Sequence, residues 1–412
     1  MKSRRTQDDT DAHAKTTINR RAGSKLSELG LRLDPEAAIP EVTLFLPRNA
    51  KQPRIGIVAA ARPNFMKVAP IVRALEGRIN TELVHTGQHY DKHMSGSFFE
   101  ELRLPAPDVN LGIGSGTHAE QTAGVMIAFE HYLRDRNIDV VVVVGDVNST
   151  LACALTAVKL WVPVAHVEAG LRSGDWSMPE EVNRLVTDRV SRWLFTTSAD
   201  ADVNLSAEGI PSDWIHLVGN VMIDTLLKNL DRARERGQEL RKRLGLDSDY
   251  ALMTLHRPSN VDAARDLQSL LSAVAEEAHD LPVIFPLHPR TAARLAEFGI
   301  DLPSPIQPVE PLSYLDFVGL VDTAGIVLTD SGGVQEETTV LGVPCVTLRT
   351  STERPVTCKF GTNRLAGTEP HAVRRAFTEA MEAPRLPARI PLWDGKAGER
   401  IAEILLHDLG LE

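Results

Sequence analysis

The sequence predicts an α/β protein with two doubly wound parallel sheets facing a central cleft, and three observations support this fold class. Short runs of Val and Ile alternate with helix-length amphipathic segments from residue 54 onward. These apolar runs are continuous, which is typical of parallel strands that are buried on both faces. The alternation stops at a long charged segment, residues 221–244, and then resumes. Two halves of similar size are therefore expected.

The elements are predicted from these runs in chain order. In the first half, strands are expected at residues 55–59, 139–144 and 162–167, and helices at 66–75, 150–160 and 180–193. In the second half, strands are expected at residues 251–255, 282–287, 325–328 and 344–348. The predicted organisation is a polar, mobile extension at 1–50, Rossmann-like domains at 51–222 and 223–390, and a C-terminal helix at 391–412 that can pack back on the first domain.

Composition excludes several classes of protein. The chain has 45 Lys and Arg against 55 Asp and Glu, and no dense basic tract, so nucleic acid is not an expected partner. No run reaches the roughly 18 apolar residues that span a bilayer. The Arg4-Arg5 pair is not followed by the apolar segment of an export signal. Three distant cysteines suit neither a disulfide framework nor a zinc site, and a reducing cytoplasm is predicted.

Glycine-rich and metal motifs exclude further classes. The segment at 112–117 places Thr117 where a dinucleotide fingerprint needs its third glycine, so a loop is expected there. The phosphate-binding motif that ends in Gly-Lys-Ser/Thr is absent, and so is His-Glu-x-x-His. Neither a nucleotide triphosphatase nor a zinc protease is indicated, and an NAD-dependent epimerase loses its main support.

A candidate phosphate site follows a strand of the second half. Ser331 can cap the helix that begins there, while Gly332 and Gly333 let backbone N–H groups approach an anion. Glu337 can accept hydrogen bonds from a ribose diol, or can act only as a favourable acid in the first helical turn. An ordinary capped turn between strand and helix explains the same residues equally well.

Cations also follow strands in both halves. Arg62 and Lys67 begin a helix of the first half and suit phosphate oxygens, although a solvated surface explains them too. In the second half His256 and His288 end strands beside arginines, a pairing that favours anion binding over a structural role.

Three carboxylate positions come from consecutive strand-to-helix connections of the first half. Acids that converge on one cleft can have their pKa values pushed apart, as acid/base chemistry requires. Asp146 and Glu180 have an alternative explanation, because each stands where a helix-capping or first-turn acid is favourable. Glu168 has no such alternative.

Eight motifs follow one another along the chain, namely ARPNFMK at 61–67, HTGQH at 85–89, GDVNST at 145–150, HVEAGLRS at 166–173, PEEVNR at 179–184, LHRPSN at 255–260, DSGGVQEE at 330–337 and TERP at 352–355. In this order they resemble the motifs of the non-hydrolysing UDP-N-acetylglucosamine 2-epimerases, and the match runs from about residue 54 to the end. The resemblance implies the two-domain fold of GT-B glycosyltransferases, a homodimer, and no metal, NAD or other cofactor.

The implied reaction interconverts UDP-GlcNAc and UDP-ManNAc through anti elimination of UDP to 2-acetamidoglucal and re-addition with C2 inverted. By motif, Asp146, Glu168 and Glu180 match the acid/base carboxylates of the family, and His256 matches its catalytic histidine. The positions that match UDP and phosphate contacts are Arg62, Lys67, Phe317, Ser331, Gly332, Gly333 and Glu337. Gln88 and His89 match residues associated with a second, activating UDP-GlcNAc, whereas residues 90–94 depart from the family pattern.

Three other functions stay open at this point. A hydrolysing 2-epimerase shares these motifs and releases ManNAc and UDP. A GT-B glycosyltransferase shares the fold and a UDP-binding second half, but needs an acceptor site and fewer carboxylates. A nucleotide-sugar-binding regulator on the same scaffold would bind UDP-GlcNAc without turnover.

Overall fold

The computed structural model describes residues 53–60, 62–87 and 100–411. The predicted extension at 1–50 lies outside the described residues, as do Gln88 and His89. Arg62 is described as part of a helix backbone only.

A parallel sheet of seven strands forms the first half, in the order β3-β2-β1-β4-β5-β6-β7. The strands are β1 Arg54–Ala59, β2 Asn80–His85, β3 Val109–Asn110, β4 Val140–Val144, β5 Val164–Ala169, β6 Trp193–Thr196 and β7 Ile215–Leu217. Its helices are α1 Arg62–Leu75, α2 His118–Asp135, α3 Asn148–Lys159, α4 Pro179–Val190 and α5 Ala199–Ala207. The central strand β4 consists of five fully buried valines, as expected of a parallel strand with helices on both faces.

The long helix α6, Val221–Leu244, leads into a parallel sheet of six strands with the order β10-β9-β8-β11-β12-β13. The strands are β8 Ala251–Thr254, β9 Val283–Pro286, β10 Ile306–Val309, β11 Ile326–Thr329, β12 Cys345–Thr347 and β13 Asn363–Leu365. The helices are α7 Pro258–Val261, α8 Ala264–Ala278, α9 Pro289–Phe298, α10 Tyr314–Thr323, α11 Gly332–Leu341, α12 Pro355–Lys359, α13 Pro370–Met381 and α14 Ala397–Asp408.

Apolar clusters cover both faces of each sheet, so the doubly wound α/β class is confirmed. Helix α14 packs against α1 and α6. Its first turn is held by Asp224 on α6, whose carboxylate accepts the N–H groups of Ala397 and Gly398. None of the described helices is long and apolar enough to cross a membrane.

Two local predictions can be compared with the structure. The segment at 112–117 is a loop, as predicted, and ends in Thr117, which caps α2 in a reciprocal arrangement with Glu120. The helix predicted at 180–193 is too long. Helix α4 ends at Val190, and Trp193 begins the buried strand β6. Strand β6 is a short, continuous apolar run without the alternation of apolar and polar residues that marks a half-buried strand. The sequence therefore does not show where the helix ends and the strand begins.

Candidate active site

Three of the four predicted catalytic residues, all except Glu180, lie at the carboxyl ends of parallel strands, where α/β sheets present their ligand sites. Asp146 follows β4, and Glu168 is the second-to-last residue of β5. In the second sheet His256 follows β8, and Asp330 follows β11 directly. The two sheets meet at these ends, because Arg354 of the second half contacts Glu168 of the first.

Glu168 adopts a strained backbone conformation. Its φ is 72°, a left-handed value that is rare for a residue other than glycine, and the pairing of β5 with β6 is irregular at this point. The side chain is 2% exposed and forms ion pairs with Lys67 Nζ and, at 3.1 Å, with Arg354 Nη2. Strained conformations of this kind cluster at functional sites, where the surrounding structure imposes them.

Gly145 leaves the space in which this pair forms. A Cβ atom at this position would lie 2.9 Å from Lys67 Nζ and 3.2 Å from Glu168 Oε2, and its φ is 67°. Asn64 closes the same corner by donating a hydrogen bond to the carbonyl oxygen of Val144 at 3.1 Å. Lys67 thus lies beside Glu168 in this structure, and its contact with phosphate stays a prediction.

Asp146 does not cap a helix, so that alternative is wrong. The residue before α3 is Val147, which makes no side-chain cap hydrogen bond. Asp146 instead pairs with the buried Arg184, whose Nη1 lies 2.5 Å from Asp146 Oδ2. The other arm of Arg184 binds Glu181 at 2.6 Å. Burial raises the pKa of Glu181, but hydrogen bonds from the backbone and from Arg184 outweigh it and keep that pKa low.

Glu180 and Glu181 are neighbours in the first turn of α4 with different surroundings. Glu181 is buried and fully paired, whereas the half-buried Glu180 makes no hydrogen bond or ion pair with another described residue. Glu180 lies close enough to Arg257 of the second half to affect the pKa of that guanidinium. Burial lowers the pKa of Arg257, and the negative charge of Glu180 opposes that shift. Glu180 is therefore a free carboxylate on the side that faces the second sheet.

His256 is oriented by a buried aspartate. Its Nδ1 lies 2.7 Å from Asp330 Oδ1, and Asp330 Oδ2 accepts the backbone N–H groups of His256 and Arg257 at 2.9 Å each. Burial raises the pKa of Asp330, but its hydrogen bonds and the charge of His256 keep the pKa below its usual value. Among the described residues His256 Nε2 has no partner, so it is available to a substrate.

Ser331 occupies the N-cap position of α11, as predicted, but its side chain makes no cap hydrogen bond. Its own N–H donates to Thr329 Oγ1 at 3.0 Å. The first helical residue is Gly332, where a Cβ atom would lie 2.3 Å from Arg354 Nη1. A glycine is therefore required by the close approach of that guanidinium. At Gly333 a Cβ atom would lie 3.4 Å from Met222.

Glu337 is not a first-turn acid, because it lies beyond the first turn of α11 and is buried. Its Oε1 accepts a hydrogen bond from Tyr314 at 3.0 Å. Burial raises the pKa of Glu337 to about 8, although the Tyr314 hydrogen bond acts in the opposite direction. Phe317 lies one turn after Tyr314 on α10 and packs against an apolar cluster of the second sheet. Its place beside a uracil stays a prediction.

The sequence analysis missed Arg354 as a site residue, although TERP was among the quoted motifs. Arg354 is buried and binds three carboxylates, those of Glu168, Glu353 and, at 2.8 Å, Glu336. Burial lowers the pKa of the Arg354 guanidinium, but these carboxylates outweigh it and raise that pKa. Burial conversely raises the pKa of Glu336. Nothing in the local sequence singles out Glu336.

The charged groups of the site pair with one another. Arg349 binds Glu353 at 2.8 Å beside Arg354, and Arg257 lies 3.7 Å from the same carboxylate. The arginines and Lys67 together face the carboxylates that converge from both sheets. Within the described ranges, no group of three or more His, Cys, Asp or Glu side chains is arranged as metal ligands.

Comparisons with known proteins agree with the motifs. Residues 73–406 match the family model for UDP-N-acetylglucosamine 2-epimerase. The UDP-N-acetylglucosamine 2-epimerase of Methanocaldococcus jannaschii is 46% identical over 86% of this chain and 99% of that protein. The UDP-2,3-diacetamido-2,3-dideoxy-D-glucuronate 2-epimerase of Pseudomonas aeruginosa is 39% identical over 85% of this chain and 99% of that protein.

A solved structure supports the same relationship at the level of the fold. The crystal structure of the M. jannaschii UDP-GlcNAc 2-epimerase in complex with UDP-GlcNAc and UDP superposes with a TM-score of 0.81 at 44% identity. The comparison covers 86% of this chain and 99% of that one. The chain therefore belongs to the UDP-N-acetylglucosamine 2-epimerase family, as its eight motifs predicted.

Proposed function

We propose that this protein interconverts UDP-GlcNAc and UDP-ManNAc in the cytoplasm by anti elimination of UDP and re-addition with inversion at C2. The observation that supports it best is the meeting of the two sheets. The ion pair between Glu168 and Arg354 joins the halves, Arg354 also approaches Gly332 at the start of α11, and Asp330 just before that helix contacts His256. Acid/base groups and an anion site thus share one cleft.

In the elimination step, a carboxylate accepts the proton from C2 while the bond between C1 and the phosphate oxygen breaks. The electrons of the C2–H bond form the C1–C2 double bond of 2-acetamidoglucal, and UDP departs with the electrons of the C1–O bond. In the reverse step the opposite face of C2 receives a proton as the phosphate oxygen attacks C1. We assign Asp146, Glu168 and Glu180 to this proton-transfer set.

The departing diphosphate needs positive charge and N–H donors. We assign this role to Arg62, Lys67 and the first turn of α11 with Ser331, Gly332 and Gly333, whose N–H groups and dipole favour an anion. His256, which Asp330 orients, faces the same region with Nε2 available. Glu337 and Phe317 are assigned to the ribose and the uracil.

The experiment that tests this proposal is proton NMR of UDP-GlcNAc incubated with the protein in deuterated water. Deuterium at C2 together with UDP-ManNAc, approaching one equilibrium from either substrate, supports elimination and re-addition. Accumulation of UDP and free ManNAc would instead assign the chain to the hydrolysing branch. No exchange at C2 would overturn the proposal, and the same assay on UDP-2,3-diacetamido-2,3-dideoxy-D-glucuronate tests the substrate of the P. aeruginosa relative.

We further propose that the protein is a homodimer that pairs through helices α2, α3 and α4. Helix α3 packs against both α2 and α4. Each of the three carries or adjoins an exposed apolar side chain: Ile127 on α2 is 63% exposed, Trp161 after α3 is 75% exposed, and Val182 on α4 is 39% exposed. Exposed apolar groups on adjacent elements favour a protein contact. Light scattering after size-exclusion chromatography tests the mass in solution.

A further inference from the structure

A buried ion pair lies directly behind the strand ends that lead to Asp146 and Glu168. His166 on β5 is fully buried, and its Nδ1 lies 2.6 Å from Asp188 Oδ1 on α4. The other ring nitrogen, Nε2, lies 2.8 Å from the carbonyl oxygen of Gly145. A carbonyl oxygen can only accept a hydrogen bond, so Nε2 must carry a proton.

The second ring nitrogen faces the ionised carboxylate of Asp188. Burial raises the pKa of Asp188, but the charges and hydrogen bonds of His166 and Arg172 outweigh it and keep that pKa low. His166 therefore joins two groups, Asp188 on α4 and the carbonyl oxygen of Gly145 at the end of β4.

The hydrogen bond from His166 to the end of β4 holds the chain that leads to Asp146. Gly145 donates its N–H to the carbonyl oxygen of Val167 at 3.0 Å, and its own carbonyl oxygen accepts from His166. Both polar backbone groups of Gly145 are thus held by neighbouring residues of β5. Because Gly145 has a φ of 67°, this pair of hydrogen bonds keeps a turn in place from which Asp146 extends.

The contact of His166 with Asp188 on α4 holds the chain on both sides of Glu168. Asp188 Oδ2 accepts the N–H of Gly170 at 3.0 Å and binds Arg172 Nη2 at 2.7 Å. His166 and Gly170 lie two residues before and two residues after Glu168, and Asp188 holds both of them. A left-handed φ at Glu168 persists only where surrounding contacts impose it, and these contacts do so.

We infer that His166 and Asp188 are positioning residues that fix Asp146 and Glu168 for proton transfer at C2. Both side chains are buried, so they act through the backbone that carries the two carboxylates. This inference rests on the proposed function, because it takes those carboxylates as the groups that reach C2. Small misplacements of reacting groups cost about 100-fold in rate.

The first test is Asp188→Asn, which keeps an acceptor for Gly170 but removes the charge that holds His166. We expect kcat to fall by about 100-fold while KM and the affinity for UDP stay within about threefold. The matched control is Glu82→Gln, which weakens another buried polar contact of the first sheet, the hydrogen bond from Tyr132 at 3.1 Å. The control should lose stability without losing kcat. Equal kcat values for Asp188→Asn and the control would overturn the inference.

Two variants of the histidine separate its two hydrogen bonds and also serve if Asp188→Asn does not fold. His166→Gln can keep the donor to Gly145, and His166→Asn can keep the donor to Asp188. We expect the glutamine variant to retain the larger kcat, since it preserves the contact that sets Asp146. Wild-type kcat values in both variants would mean that the hydrogen bonds of the ring do not position the carboxylates, which overturns the inference.

A readout besides activity separates this inference from the proposed function. Crystal structures of the wild type and Asp188→Asn should differ at Glu168, whose φ should leave the left-handed region in the variant. An unchanged φ would overturn the inference whatever the substrate is. If the wild type fails to epimerise UDP-GlcNAc, that result contradicts the proposed function. The comparison of the Glu168 φ in the two crystal structures then still decides whether His166 and Asp188 are positioning residues.

Discussion

Glu168→Gln removes the carboxylate that stands between Lys67 and Arg354. The side chain keeps its size and one oxygen that can accept from either cation, but it cannot accept the C2 proton. General acid/base groups contribute about 100-fold to 10,000-fold to a rate, so we expect the barrier to rise by about 3 to 5 kcal/mol.

The effect on stability should be smaller than that of breaking an isolated buried ion pair, which costs about 3 to 5 kcal/mol. Arg354 keeps Glu336 and Glu353 as partners, and Lys67 keeps a neutral acceptor. We therefore expect the variant to fold and to bind UDP with almost unchanged affinity. Loss of turnover would then report on proton transfer rather than on assembly of the site.

The assay is the initial rate of deuterium incorporation at C2, with UDP affinity measured by calorimetry on the same samples. Glu130→Gln is the matched control, because Glu130 is a half-exposed carboxylate whose one ion pair with a described residue is to Arg134, one turn away. A kcat for Glu168→Gln within tenfold of the wild type would remove Glu168 from the proton-transfer set. A parallel loss of UDP affinity would indicate that its role is to join the two sheets through Arg354.

Three further perturbations test other parts of the molecule. Burial raises the pKa of Glu337 to about 8, so the folded state binds this proton more tightly and the free energy of unfolding falls as pH rises from about 4.5 to 8. Glu337→Gln should make the stability in thermal unfolding depend less on pH and should weaken UDP binding in calorimetry. An unchanged pH dependence would refute the raised pKa of Glu337, and an unchanged affinity would refute its assignment to the ribose. Gly145→Ala should lower both kcat and the melting temperature, because its Cβ meets Lys67 Nζ at 2.9 Å. The control Gly77→Ala has the same backbone strain, of about 1 to 2 kcal/mol, with open space around it, and should keep kcat; equal kcat losses would contradict the steric argument. Trp161→Glu should yield a monomer by light scattering where the wild type is a dimer, and a dimeric variant would exclude this face.

The interior strands were predictable because their residue types leave little choice. The five valines of β4 are β-branched, continuous and apolar, a pattern that suits a parallel strand buried on both faces. The edge strands lack that pattern. Strand β13, at the edge of its sheet, reads NRL, and β2, which lies beside the edge strand β3, reads NTELVH, so only pairing with the neighbouring strands identifies them. The same ambiguity extended the prediction for α4 into β6.

The motifs identified the segments of the site but not the partners within it. Ser331 satisfies every local rule for a helix cap, yet its side chain makes no cap hydrogen bond. Of the adjacent acids in PEEVNR, Glu181 is a paired structural group and Glu180 is free, a difference that their sequence context does not reveal. Asp330 was quoted in a motif, and its role in orienting His256 emerges only from their 2.7 Å contact.

By itself, the sequence determined the fold class, the family, and the strand ends that carry the chemistry. These depend on the order of residue types along the chain, through hydrophobic periodicity and short motifs. Only the tertiary structure decided which charges meet. Glu168 pairs with Lys67 across 101 positions of sequence and with Arg354 across 186. The physical reason is that burial strengthens an ion pair and raises the cost of an unpaired charge, so each group depends on partners that the fold, rather than the neighbouring sequence, supplies.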